Sequence, residues 1–196
     1  MNQTYNQSPQ RLVVAISGAS GVILGIRMLE VLKPTDIETH LVLSPAAQTT
    51  IEYETDYDAS AVINLADVAY EHQDIGAPIA SGSFSTRGMV VIPCSIKSLS
   101  AIANSYAQDL TVRAADTTLK EGNTLVLVVR ETPLHRGHIR LMDLASDAGA
   151  IIFPPVPAFY AQPQSLSQIV DNIVGRVLAR LGLENQLYSE WGGLPK

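Results

Sequence analysis

Short apolar runs rich in valine and isoleucine alternate with longer amphipathic stretches along this chain. Continuous apolar runs of this length are typical of strands that are buried on both faces of a sheet. The pattern therefore predicts a mainly parallel sheet with helices packed on both faces. The predicted strands span residues 12–17, 37–44, 89–94, 124–131 and 150–155.

Helical periodicity appears between and after these runs. The first helix follows residue 17 and ends near Leu32, because Pro34 cannot continue it. A second helix is predicted over 138–149, with its apolar residues on one stripe. A third covers 165–182 and begins with Ser165, three residues before a glutamine, which is the spacing of a capping box.

Residues 56–87 have no clear period, and we expect a short helix and an irregular loop there. The remaining pattern predicts a single doubly wound α/β domain over residues 11–196. Residues 1–10 are polar and lack the apolar core of a signal peptide, so a flexible tail is expected.

Composition narrows the possible partners. The formal net charge of −6 argues against nucleic acid or an anionic membrane as the main partner. No apolar run approaches the roughly 20 residues of a membrane-spanning helix. The single cysteine, Cys94, excludes an internal disulfide framework and fits a reducing compartment, so the expected location is the cytoplasm.

The first strand is followed by Gly18, Ala19, Ser20 and Gly21. Glycine allows a tight turn, and the N-terminus of the next helix offers N–H groups to an anion. The loop matches neither familiar phosphate-binding motif, because Ser20 stands where the dinucleotide loop has glycine and no lysine follows. A plain turn with Ser20 as the N-cap is the alternative.

Hydroxyl groups also follow the next two strands. Ser44 precedes Pro45, which suits an N-cap, although the hydroxyl can equally face a ligand. Ser95, Lys97 and Ser98 supply two hydroxyls and a cation at one helix start. A helix needs at most one such cap, so this surplus favours an anionic ligand.

The last two strands are followed by Arg130 with Glu131, and by Tyr160 in a proline-rich loop. A charged pair next to a buried strand is costly unless it is solvated or used. The stiff loop can hold the phenol in a site, or Tyr160 can simply lie on the rim. Together the strand-end residues predict a site that binds more than one phosphate.

Other polar residues have simpler interpretations. His135 and His138 lack an evident third ligand, so we interpret them as a surface pair and predict no metal site. Cys94 is interpreted as a small buried residue rather than a nucleophile. Glu52 and Glu54 fit a solvated helix face.

Five motifs occur in order along the chain: S-G-A-S-G, P-C-S-x-K, R-A-A-D, R-E-x-P and F-Y-x-x-P-Q-S. With them, the chain resembles the UbiX-type flavin prenyltransferases from about Arg11 to Trp191. The resemblance implies a flavodoxin-like Rossmann three-layer sandwich that binds FMN. It also implies transfer of a dimethylallyl group from dimethylallyl monophosphate to N5 and then C6 of reduced FMN. Because the chain has no carboxylate-rich magnesium motif such as D-D-x-x-D, we expect this transfer to proceed without a metal.

The family further implies partners. The product, prenylated FMN, would serve a UbiD-type decarboxylase. Members of the family assemble as homo-oligomers, as dodecamers, with sites at subunit interfaces.

The resemblance assigns roles to individual residues. The implied flavin contacts are Gly18, Ala19, Ser20, Ser44, Ser95, Ile96, Lys97, Ser98 and Arg130. The implied contacts of the prenyl donor are Arg113, Lys120, Tyr160, Arg176 and Trp191. Ser20 and Lys120 are also implied in catalysis, Glu131 in proton transfer, and Glu54 as an acid supplied across an interface.

One segment departs from the family pattern. Members often read L-K-E-R-R-P where this chain reads L-K-E-G-N-T, so Gly122 and Asn123 replace two basic residues. Because Lys120 is retained, we expect the activity to be retained, with a weaker cationic environment for the donor phosphate.

Two other functions suit such a fold. A flavin-dependent cysteine decarboxylase would carry a P-A-S-A-N segment and a histidine soon after the second strand, and this chain has neither. A non-catalytic flavin carrier would leave the basic residues Arg113, Lys120 and Arg176 unexplained.

Overall fold

The computed structural model describes residues 10–193 and contains one six-stranded, all-parallel sheet. The strand order is β3-β2-β1-β4-β5-β6. The order reverses between β1 and β4, which is where doubly wound sheets open a crevice for ligands. The strands are β1 Gln10–Ile16, β2 Ile37–Leu43, β3 Val68–Tyr70, β4 Gly88–Cys94, β5 Thr124–Val129 and β6 Ile151–Ile152.

Seven helices cover the two faces of the sheet within the described part of the chain. They are α1 Ile23–Leu32, α2 Pro45–Glu54, α3 Ala59–Ile63, α4 Ile96–Ala103, α5 Leu110–Lys120, α6 Arg136–Asp147 and α7 Leu166–Arg180. Short 3-10 turns occur at Pro78–Ala80 and Phe159–Ala161.

Strand residues alternate between two buried clusters. Leu12 and Val14 of β1 pack with α1 and α7 on one face, while Val13 and Ala15 pack with α4 and α5 on the other. This confirms the predicted three-layer α/β sandwich. Within residues 10–193, no helix has both the length and the apolar character needed to cross a membrane.

The structure adds one strand and shortens another. The added strand, β3, has only three residues and lies at the edge of the sheet, inside the segment 56–87 that showed no period. The strand predicted over 150–155 is reduced to Ile151–Ile152, since Pro154 and Pro155 cannot donate ladder hydrogen bonds. The predicted tail lies outside the described residues except for Gln10, with which β1 begins.

Helix α6 leaves part of its apolar surface exposed, although Leu141, Met142 and Ala145 pack against the core of the same chain. Ala145 is its only fully buried residue, and Ile139 is 55% exposed. An amphipathic helix with part of its apolar face exposed is typical of a surface that packs against another molecule.

Candidate functional site

Ser17 ties the ends of β1 and β4 together at the point where the strand order reverses. Its side chain is buried, and its hydroxyl donates to the Pro93 carbonyl oxygen at 2.8 Å. The same hydroxyl accepts from the Ser95 backbone N–H at 2.8 Å. This serine therefore fixes where the chain leaves β4 and enters α4.

The N-termini of α2 and α4 open on a cleft of about 430 Å³ beside Ser17. Ser44 caps α2 by accepting from the Ala47 N–H at 3.1 Å, so the N-cap interpretation of Ser44 is confirmed. Ser95 caps α4 by accepting from the Ser98 N–H at 3.2 Å. Two helix N-termini that share one cleft favour an anion there.

The rest of the cleft wall combines polar residues with the apolar residues Pro45, Ala46, Ala101 and Val112. Its lining also includes Gly18, His72, Gln73, Lys97, Ser98, Gln108 and Asp109. Gly18 permits the close approach of the first loop to α2, because a Cβ at this position would lie 2.4 Å from the Ala46 Cβ. The hydroxyls and the ammonium group of Lys97 suit a phosphate, and the volume is in the range of small-molecule sites.

The loop after β1 is held by charged side chains on both sides. Arg130 Nε donates to the Ser20 carbonyl oxygen at 2.9 Å, and the Gly21 N–H donates to Glu54 Oε2 at 2.8 Å. The single peptide group between Ser20 and Gly21 is thus fixed at its oxygen and at its nitrogen. Gly21 has φ +96°, a left-handed conformation that favours glycine.

Ser20 is not the N-cap of α1, so the alternative interpretation of this loop as a turn capped by Ser20 is wrong. The N-cap is Val22, which offers no capping side chain. The Ser20 side chain is exposed beside the start of this helix. The hydroxyl therefore lies where a second anion can meet it, close to Arg130.

Aromatic residues of the C-terminal segment meet above the loop that follows β6. The rings of Tyr160 and Trp191 lie 5.4 Å apart, edge to face. Arg176 of α7 lies over the ring of Tyr188 at 6.0 Å. Because Tyr160 and Trp191 are both about half exposed, they form an apolar wall that is open on one side.

Lys120 lies apart from these groups within one chain, whereas Arg113 is in the first turn of the same helix, α5. The start of α5 reaches the cleft at Val112, whereas Lys120 is its last residue, about 12 Å further along the axis. Arg113 Nε donates to the Ala80 carbonyl oxygen at 3.1 Å, and Lys120 pairs with Glu121 next to Gly82. Lys120 therefore lies toward the opposite edge of the sheet, near the start of β5.

The remaining candidates are Cys94 and the histidine pair His135 and His138. Burial raises the pKa of the Cys94 thiol to about 12, which makes it a poor nucleophile. His135 accepts from the Gly137 N–H as the N-cap of α6, with the His138 ring 3.6 Å away. No group of three or more potential metal ligands occurs within residues 10–193.

Comparisons with known proteins give the family. A family model described as Flavoprotein matches residues 1–178. Flavin prenyltransferase UbiX of Escherichia coli (strain K12) is 55% identical over 187 residues, which are 94% of this chain and 99% of that protein. The chain belongs to the UbiX family of flavin prenyltransferases.

Two solved structures of UbiX relatives superpose closely. AnUbiX (PadA1), in complex with FMN and dimethylallyl pyrophosphate, superposes with a TM-score of 0.94 at 47% sequence identity. The match covers 96% of this chain and 100% of the AnUbiX chain. A dodecameric FMN-dependent UbiX-like decarboxylase from Escherichia coli O157:H7 has a TM-score of 0.92 at 47% identity, with coverage of 94% and 100%. The flavodoxin-like fold expected of a UbiX family member is therefore confirmed.

The UbiX resemblance predicted nine flavin contacts, and all nine follow the carboxyl ends of β1, β2, β4 or β5. They are Gly18, Ala19, Ser20, Ser44, Ser95, Ile96, Lys97, Ser98 and Arg130. Glu131, exposed, accepts from the Thr132 N–H at 2.9 Å directly beside them. Glu54 reaches the same loop within its own chain.

Sequence reasoning missed part of the UbiX-type cleft. Ser17 could have been found as the polar residue that ends a buried run. His72 and Gln73 were missed because they follow the unrecognised strand β3, and Asp109 because no strand precedes it.

Proposed function

We propose that this protein transfers a dimethylallyl group from dimethylallyl monophosphate to reduced FMN, forming prenylated FMN without a metal. The observation that supports the proposal is that two polar regions suited to anions lie on one edge of the sheet. One is the cleft between α2 and α4, and the other is the loop at Ser20 with Arg130. A flavin monophosphate and a prenyl phosphate each need one.

The cleft suits the flavin substrate by its own chemistry. Gly18 removes side-chain bulk beside Ala46, and Ser44, Ser95 and Ser98 line one cleft with Lys97. Reduced FMN, bound as a substrate, supplies the nucleophilic atoms for the transfer. The protein then needs no nucleophile, which agrees with the buried, weakly acidic Cys94.

Protein cations take the role that a metal has in many prenyl-transfer reactions. As the allylic carbon–oxygen bond breaks, charge grows on the departing phosphate. Fixed donors that meet this charge lower the barrier, and removal of one such donor typically slows turnover about 10²–10³-fold. We assign this role to Ser20, Arg113, Lys120, Tyr160 and Arg176.

Glu131 is assigned to the proton that is lost when the new ring closes on C6. Its carboxylate is exposed at the carboxyl end of β5, one residue after the arginine that holds the Ser20 loop. A positioned base typically contributes about 10²–10⁴-fold. Trp191 and Tyr160 cover the apolar part of the donor, whose allylic charge favours aromatic faces.

We infer that the donor site needs a second subunit, because Lys120 lies toward the opposite edge of the sheet from the Ser20 loop within one chain. We therefore propose a homo-oligomer, a dodecamer like the E. coli structure, in which α5 of one subunit reaches the donor site of another. The exposed part of the apolar surface of α6 supports association. Glu54 contacts its own chain at Gly21, and its role as an acid supplied across an interface stays a prediction.

The deciding experiment combines protein, reduced FMN and dimethylallyl monophosphate under anaerobic conditions, with mass spectrometry of the flavin. One added five-carbon unit is expected. A parallel reaction with dimethylallyl pyrophosphate tests the donor, because AnUbiX binds that compound. We expect the monophosphate to be preferred, since Gly122 and Asn123 provide no charge and Lys120 is paired with Glu121.

A separate experiment tests whether one site takes residues from two subunits. Lys120→Ala and Glu131→Gln should each lower the activity about a hundredfold or more. If one subunit supplies Lys120 and another supplies Glu131, random co-assembly in equal amounts leaves about one quarter of sites intact. Co-expressed variants should then regain about a quarter of wild-type activity, whereas no recovery would show that both residues act from one chain.

Flavin that is bound in stoichiometric amount but never changes mass would instead support the carrier. A UbiD-type decarboxylase is the proposed recipient of the product, and the cytoplasm the proposed location. The reduced, buried Cys94 supports a reducing compartment.

A further inference from the structure

His72 lies in the candidate flavin cleft but belongs to none of the motifs that define the family resemblance. It follows β3 by two residues, and its side chain is 13% exposed. It lines the same cleft as Ser44, Ser95 and Lys97. The residue therefore faces the region where two helix N-termini favour a phosphate.

The backbone and ring of His72 are held in place. The Leu110 N–H donates to the His72 carbonyl oxygen at 2.9 Å, which joins this residue to the start of α5. Gln73 Nε2 lies 3.2 Å from His72 Nδ1. With the Gln73 amide nitrogen as the donor to Nδ1, a neutral imidazole carries its proton on Nε2.

The Nε2–H group has no close acceptor among the described residues. The nearest charged group, Asp109 Oδ2, is 3.7 Å away, which is longer than a hydrogen bond. Asp109 already caps α5, since its Oδ1 accepts from the Val112 N–H at 3.0 Å. The imidazole can therefore donate to an acceptor that enters the cleft.

The titratable side chains that line the cleft are His72, Lys97 and Asp109. The Asp109 carboxylate alone would disfavour a bound phosphate. A donor on the imidazole, which faces that carboxylate, offsets this effect at the same wall. On the basis of the proposed function, we propose that His72 donates a hydrogen bond to the phosphate of FMN and favours FMN over riboflavin.

The experiment measures dissociation constants of FMN and riboflavin by flavin fluorescence, using the assembled protein. His72→Ala should weaken FMN about tenfold, the loss expected for one hydrogen bond to a charged group in a partly open site. Riboflavin, which has no phosphate, should change by less than about twofold. His72→Gln, which keeps an N–H donor, should recover about threefold of the FMN affinity.

Glu71→Gln is the matched control, because Glu71 is exposed on the same segment and does not line this cleft. It should leave both constants at the wild-type value. Equal weakening of FMN and riboflavin by His72→Ala, or no change in either, would overturn the proposal. If the wild type binds FMN but transfers no prenyl group, the proposed function fails, while the affinity comparison still decides the role of His72.

Discussion

Ser17→Ala is the substitution that most directly tests how the site is held together. The hydroxyl joins the ends of β1 and β4 through two hydrogen bonds of 2.8 Å. The substitution leaves the two hydrogen-bond partners of this hydroxyl in different situations. The Pro93 carbonyl oxygen also accepts from the Ser17 backbone N–H at 3.2 Å, so it keeps one bond. The Ser95 N–H loses its partner.

An orphaned buried donor costs about 1–3 kcal/mol. Because Ser95 is only half-buried, we expect the lower part of that range, about 1–2 kcal/mol. In a chain of this size, such a loss lowers the melting temperature by about 2–8 °C. FMN affinity should fall roughly fivefold, because Ser95 both caps α4 and lines the cleft.

The assay measures thermal unfolding and FMN binding for three variants: Ser17→Ala, Ser17→Thr and Ser100→Ala. Ser17→Thr keeps a hydroxyl and should retain the FMN affinity better than Ser17→Ala. Ser100→Ala removes a half-buried hydroxyl on α4 for which no side-chain hydrogen bond is found in the described part of the chain. It should leave both readouts unchanged. A Ser17→Ala protein with wild-type melting temperature and FMN affinity would refute the reasoning.

Three further outcomes follow from individual side chains. Glu131→Gln should slow formation of the closed four-ring flavin about a hundredfold, and an unchanged rate measured by absorbance would remove Glu131 as the base. Burial lowers the pKa of His40, although Glu38 opposes the shift, so His40 in the folded protein binds a proton less readily than in the unfolded chain. The urea concentration at the midpoint of unfolding should therefore decrease when the pH is lowered from about 7.5 to about 5.5. The substitution His40→Gln should make that decrease smaller. With its pKa raised to about 12, Cys94 should resist a thiol reagent at about pH 8 until the protein is unfolded.

The central part of the fold could be predicted because its strands are long and fully buried. Every residue of β4 is buried, and a strand that is buried on both sides needs a layer of helices on each face of the sheet. The edge strand β3 gives no such signal, since its three residues are partly or fully exposed. The helix stripe over 138–149 was visible, but periodicity does not say whether the covering partner belongs to the same chain.

The predicted flavin contacts lie together because parallel strands bring their carboxyl ends to one edge of the sheet. The same rule did not locate His72, whose strand was not recognised, nor the second role of Ser17. The placement of Lys120 depends on which way α5 runs from the cleft, and a motif such as R-A-A-D does not contain that information.

The geometry of α5 links assembly to chemistry. Its N-terminus, capped by Asp109, lies in the cleft of its own chain, while Lys120 ends the helix about 16 Å away. A rigid helix cannot bring both ends to one site. If Lys120 meets a prenyl phosphate, that phosphate lies at the site of a different subunit. A separated subunit would then keep the flavin cleft and lack the donor cations, so it should bind FMN and fail to transfer the prenyl group.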